Sequence, residues 1–163
     1  MLLHENRVEL MRYRLNMAKE KLHAASILLE CRSYKDSVSR SYYAMFTAVR
    51  AVLALHGVDF KKHAGVISYF QKEYIKTGIF DKMYSKYLSQ AFQIRNNTDY
   101  ADFFIVSQLE AKEQYDKALD FCHAVEIYLV KRVDCGYVES YNGGLRMEVV
   151  RMDLKCSAVL YKI

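Results

Sequence analysis

Not one of the 163 residues is proline, and only six are glycine. Proline removes a backbone donor and fixes φ, and glycine is the usual place for a helix to stop, so a chain poor in both has few obligatory breaks and favours long helices. The apolar residues then set how those helices face. From about Glu5 to Cys31, the residues Met11, Leu15, Ala18, Leu22, Ala25 and Leu29 recur at steps of four and three. That spacing is one apolar stripe along a helix, with Arg12, Arg14, Lys19, Glu20 and Lys21 off it. Arg32-Ser33-Tyr34 reads as a turn, and Ser33 with Asp36 has capping-box spacing. The second helix carries Val38, Tyr42, Met45, Val49 and Val52, with Tyr43, Phe46 and Leu53 on an adjacent stripe. A helix apolar on two neighbouring faces sits centrally in a bundle or also lines a dimer seam. Gly57 is placed to end it in a left-handed conformation.

Lys61-Lys62-His63 opens a shorter third helix with Val66, Ile67, Phe70 and Tyr74, closed by Thr77-Gly78. Asp81 is spaced to cap a fourth, which shows Met83, Tyr87, Ala91 and Ile94 and is expected to end at Arg95. Ser107-Gln108-Leu109-Glu110 is the best capping box in the chain. It starts a fifth helix with Ala111, Tyr115, Ala118, Cys122, Val125 and Leu129. Five amphipathic helices on short turns predict an all-α fold, an antiparallel bundle of four to five helices, over residues 1–131. Residues 132–163 form a C-terminal extension, where Asn142-Gly143-Gly144 between β-prone runs gives a hairpin signal.

The net charge of +5 permits an anionic partner without requiring one. Met1 to Leu10 already carries His4, Glu5, Arg7 and Glu9, unlike a signal peptide. The most apolar run, AMFTAVRAVLAL, is too short to span a bilayer and contains Arg50. A cytoplasmic protein with reduced thiols and no membrane association is the expectation. Cys31, Cys122, Cys135 and Cys156 form no CxxC pair. A di-metal bundle site needs two Glu-x-x-His motifs, and only Glu20-Lys21-Leu22-His23 fits, His123 and Glu126 standing in reverse order. No metal and no cofactor is expected. GxGxxG, GxxxxGK and GxSxG are all absent.

The candidate functional residues are polar or cationic. Tyr42-Tyr43 can stack on bases, although both fall on apolar stripes and packing is the better reading. Arg50 interrupts an apolar helix, either as a cation facing a cleft or as a buried or snorkelling ion-pair partner. Lys61, Lys62 and His63 can meet a phosphate at a helix start or form a solvated basic turn. These four are the candidate nucleic-acid contacts. RNNTDY, residues 95–100, then reads as a polar turn. A guanidinium at Arg95 can grip a phosphate bidentately, Asp99 can orient it, and Tyr100 offers a hydroxyl nearby. The residues divide evenly between a binding site and a structural hub.

In order and spacing, SYYAMFTAVRAVLALHGV, KKHAGVISYF, KTG, RNNTDYADF and the closing helix resemble a HEPN domain over roughly Val8 to Lys131. The resemblance implies a helical bundle that usually forms a homodimer. Many members are metal-independent ribonucleases, often toxins paired with a minimal nucleotidyltransferase antitoxin. Their mark is an arginine, a polar residue and, a few residues on, a histidine that moves a proton during attack of the RNA 2′-hydroxyl. Carried onto this chain, Arg95 and Asn96 match the first two, and the histidine is missing. Tyr100 stands where a four-residue spacer would put it, but tyrosine is a poor general base at neutral pH. Arg95, Asn96, Asp99 and Tyr100 are thus the candidate catalytic set, with His63 or His123 as sources of an imidazole from elsewhere in the fold. In branches of this kind the transferase attaches AMP to a tyrosine near the motif, which makes Tyr100 a candidate acceptor. The implied function is RNA or nucleotide binding at a dimer cleft, with metal-independent RNA cleavage in a toxin–antitoxin pair. The alternative is a non-catalytic interaction module that partners a nucleotidyltransferase.

Overall fold

In a computed structural model, which describes residues 2–100 and 103–134, helices fall where the apolar stripes lie. They are α1 (Leu2–Glu30), α2 (Tyr34–Leu55), α3 (His63–Phe70), α4 (Lys82–Tyr100) and α5 (Gln108–Asp134). Among the described residues there is no strand, and the fold is an all-α bundle. The hairpin expected at Asn142-Gly143-Gly144 lies outside the described residues, as do Cys135, Cys156, Ala101, Asp102 and the side chain of Asp99. The fifth helix runs on to Asp134, past the residue 131 boundary.

The two-faced helix is central. Val38, Tyr42, Met45, Val49, Val52 and Leu53 of α2 are fully buried, and α2 packs on α1, α4 and α5. Ala18 and Ala25 of α1 and Ala44, Ala48 and Ala51 of α2 are equally buried. Such small side chains let helix backbones come close, and the Ser37 hydroxyl of α2 donates to the Ala25 carbonyl of α1 at 2.8 Å. On the other side, Phe70 meets Tyr74 and Phe80 at ring-centroid distances of 5.4 Å each and Phe121 at 6.0 Å.

The helix ends show which local signals hold. At the start of α5, Glu110 N–H donates to Ser107 Oγ at 3.2 Å while Ser107 N–H donates to Glu110 Oε2 at 2.8 Å, a complete capping box. Met83 N–H donates to Asp81 Oδ1 at 2.7 Å at the start of α4. Ser33 does half of what its spacing predicts: its hydroxyl bonds Asp36 Oδ2 at 2.6 Å and caps no backbone amide. Gly57, at φ +70°, closes α2 with Val58 N–H reaching the Leu53 carbonyl at 3.0 Å. Arg32 plays the same part after α1 at φ +61°, where Ser33 N–H reaches the Leu28 carbonyl at 2.8 Å. A non-glycine residue in that region stores about 1–2 kcal/mol of strain.

Two features depart from expectation. A π-helical turn, Gln71–Ile75, follows α3 and delays its end to the Thr77-Gly78 turn. More consequentially, RNNTDY is not a turn: α4 continues through Arg95 to Tyr100. Asn, Thr and Asp are weak helix formers, yet tertiary contact outweighs such preferences. The Arg95 guanidinium lies over the Tyr43 ring of α2, 5.4 Å from its centroid, which pins this turn of α4 to the central helix.

Candidate functional site

Two groups of candidate residues assemble along α2, from Tyr43 to Arg50. The first lines a cleft of about 470 Å³ bounded by Phe46 and Arg50 of α2, Asp59, Phe60 and Lys61 of the α2–α3 connection, and His63 at the start of α3. Arg50, Lys61 and His63 therefore converge as candidate contacts. Lys62 is the N-cap residue of α3 and exposed, and is not on the cleft wall.

Arg50 is neither a simple cleft cation nor a buried ion pair. Its Nη2 lies 3.1 Å from Asp59 Oδ2, its side chain is 38% exposed, and its buried Nε has no partner among the described residues. Arg14 of α1, 11% exposed, bonds the same Asp59 oxygen at 2.6 Å and the Arg50 carbonyl at 3.1 Å. Burial pushes the Asp59 carboxyl up, but Arg14, the Phe60 amide and Arg50 together hold it below its ordinary value. Asp59 thus stays ionised and anchors Arg50 by one edge of its guanidinium.

The second group lies on α4. Arg95 is half-buried between the rings of Tyr43 and Tyr100, the latter centroid 5.7 Å away, and its Nη1 donates to Asn96 Oδ1 at 3.2 Å. Asn96 is thus one neighbour that steers the guanidinium. Thr98 is absorbed by its own helix, donating to the Ile94 carbonyl at 2.7 Å. Tyr100 is 76% exposed.

Aromatic rings join the two groups. The Tyr42 ring is 5.3 Å from Tyr43 and 6.1 Å from Phe46, and Phe46 stacks on His63 at 4.1 Å with 25° between planes. Packing is thus the role of Tyr42, as its stripe position predicts. Burial pushes its phenol up to about 12, against the opposing pull of Arg95, so it stays protonated. His63 itself is exposed but loses water on one side. That partial burial, then Arg95, then Arg50, lowers its imidazole below its ordinary value and leaves it neutral at pH 7. His123, on α5, is exposed and outside the cleft. Cys122 is excluded as a nucleophile, because burial and Glu126 push its thiol up to about 12.

Asp59, Arg14, Phe46 and Phe60 complete the site, and sequence reasoning did not single them out. Arg14 lies 45 residues from Asp59 on the polar side of an amphipathic helix, where nothing local marks it. Phe46 was visible only as a second apolar stripe.

The arrangement can neutralise a phosphate with two guanidiniums and a lysine, offer aromatic faces to a base, and present a neutral imidazole. Among the described residues no three His, Cys, Asp or Glu side chains group as a metal site. No described helix is long and apolar enough to cross a membrane.

Several known proteins are similar to this chain over part of its length. A Thermotoga maritima protein named "UPF0332 protein" is 35% identical over 109 residues, covering 67% of this chain and 83% of that one. A Pyrococcus horikoshii protein of the same name is 40% identical over 77 residues, 47% of this chain and 54% of its own length. A Methanocaldococcus jannaschii protein named "Putative toxin" is 33% identical over 115 residues, 71% of this chain and 78% of that one. The HEPN domain profile matches residues 11–128, the bundle from α1 to near the end of α5. With the helical bundle in place and that match spanning most of its length, the chain belongs to the HEPN domain family.

Proposed function

We propose that this chain is a toxin-like HEPN protein that binds RNA across the Arg50–His63 cleft and Arg95, and cleaves it without a metal. The observation that carries the reading is the convergence of cations from three places in the chain on one neutral imidazole. Arg50 and Arg95 both depress His63, which requires both guanidiniums within electrostatic reach of it. A bound phosphate would relieve the like charge that gathers there. The name of the Methanocaldococcus jannaschii relative supports the toxin assignment.

The test is RNA binding and cleavage in EDTA, with bulk tRNA and a mixed-sequence oligonucleotide. Binding should weaken steeply with salt, and Arg50→Ala should weaken it by about tenfold, the loss of one charge-assisted phosphate contact. Affinity that ignores both salt and Arg50→Ala would rule the cleft out as an RNA site.

The same reading takes the protein as a cytoplasmic homodimer with a minimal nucleotidyltransferase as antitoxin. Tyr100, Phe103, Ile105 and Leu109 are exposed by 68–95% just beyond Arg95, which suits a covered face. The exposure of Tyr100 beside Arg95 also suits it as the acceptor of AMP. Incubation with such a transferase and ATP should add the mass of one or more AMP groups to the wild type and none at that position in Tyr100→Phe. An unchanged wild-type mass removes Tyr100 from this role.

A further inference from the structure

Removing the proton of a ribose 2′-hydroxyl at neutral pH calls for a base that is unprotonated there, exposed, and close to the phosphate-neutralising groups. Among the described side chains of α4 around Arg95, none is such a group. Tyr100 is a phenol, and the Tyr42 phenol is held protonated by burial. One exposed imidazole does lie on the wall of the cationic cleft. His63 is locked by its stack on Phe46, and no described residue holds either ring nitrogen by a hydrogen bond.

We infer that His63, brought from the start of α3, is the proton-moving group of this site, in place of a histidine absent from α4. The inference rests on the RNA-binding reading above. In the step it implies, the 2′-oxygen loses its proton to a ring nitrogen of His63 and forms a bond to phosphorus. The P–O5′ bond breaks, the 5′-oxygen takes a proton from water, and the imidazolium returns its proton to solvent. The products are a 2′,3′-cyclic phosphate and a 5′-hydroxyl, with no oxidant, metal or second substrate.

The charges facing His63 fit this sequence of events. They are Arg50 from α2, Arg95 from α4, and Lys61 and Asp59 from the connection on the same wall, Asp59 being already bound by Arg14 and Arg50. In the empty site the two guanidiniums disfavour the imidazolium, so the ring waits as a base. An entering phosphate offsets their charge, and the ring then accepts a proton more readily. The same guanidiniums stabilise the negative charge that builds on the phosphate as the new bond forms.

The experiment compares wild type, His63→Ala and the milder His63→Gln, each checked for an unchanged melting curve. Cleavage is read on labelled bulk tRNA in EDTA, and binding on a mixed-sequence 2′-O-methyl oligonucleotide that cannot be cut. Wild type should yield 2′,3′-cyclic phosphate ends, with a rate that rises with pH and levels off below about pH 6.5, the ordinary imidazole value. Both variants should lose about a hundredfold or more in rate and lose that rising limb, while oligonucleotide binding keeps the salt dependence of wild type, because the phosphate-neutralising guanidiniums remain. Full cleavage by the variants overturns the role of His63. Binding without cleavage by wild type also overturns it and leaves the RNA-binding reading standing. Neither binding nor cleavage by wild type overturns both.

Discussion

Phe70→Ala should lower the unfolding free energy by about 3–5 kcal/mol, the usual cost of emptying a buried phenylalanine site that cannot collapse. Phe70 is fully buried, and its neighbours come from separate segments: Tyr74 from the π-helical turn, Phe80 from the turn before α4, and Phe121 from α5. Those rings hold one another, Phe80 against Tyr128 at 5.1 Å and Tyr84 against Phe121 at 5.5 Å, so none can swing freely into the gap. For a domain stable by about 5–15 kcal/mol the loss is a large fraction of the total. Urea unfolding should show a lower midpoint with an unchanged slope. Tyr13→Ala is the control: that ring, on α1, is 62% exposed, and its loss should move stability by less than about 0.5 kcal/mol. A cost near 1 kcal/mol at Phe70 would mean that the cluster repacks, and that α3 is not held by it. Because α3 begins at His63, the same cluster fixes the imidazole from the far end of its helix.

The bundle was legible because helix faces are set by local spacing. The stripe from Met11 to Leu29 and the double stripe of α2 needed no knowledge of neighbours, and α2 is central for the reason its two apolar faces give. Caps that work between residues three apart were legible too, as at Ser107 and Glu110. What escaped were decisions taken elsewhere in the chain. Arg32 adopts the conformation that glycine adopts at Gly57, and nothing in CRSY announces it. RNNTDY has the composition of a turn but is helical, with Arg95 packed against Tyr43, 52 residues away. The cleft was half visible. Arg50, Lys61 and His63 were conspicuous as cations or a titratable ring, but their meeting is a property of how α2 is joined to α3. Asp59, which anchors Arg50 through a bridge shared with Arg14, was invisible because an acidic residue in a basic connection carries no local signature.

Arg95→Ala separates a phosphate grip from a structural hub, since the two roles predict opposite balances of loss. The Arg95 guanidinium lies over two rings, each such contact being worth about 0.5–1 kcal/mol, so its removal should cost about 1–2 kcal/mol of stability. RNA affinity should fall by about ten- to a hundredfold, or about 1.4–2.8 kcal/mol, the range for a charge-assisted contact to phosphate. The slope of log affinity against log salt should shrink by about 0.7, the share of one phosphate on a single strand. Arg95→Lys keeps the charge but loses the planar fork and much of the ring stacking, and should recover the slope more fully than the affinity. One further effect follows from the neighbouring imidazole. With Arg95 gone, His63 loses one of the two guanidiniums that lower its pKa, so its titration, followed by its ring proton resonance, should move up towards the ordinary value. A stability loss above about 3 kcal/mol with unchanged RNA affinity would instead make Arg95 the hub that fastens α4 to α2. An unmoved His63 titration would break the electrostatic link between α4 and the cleft on which the single-site reading depends.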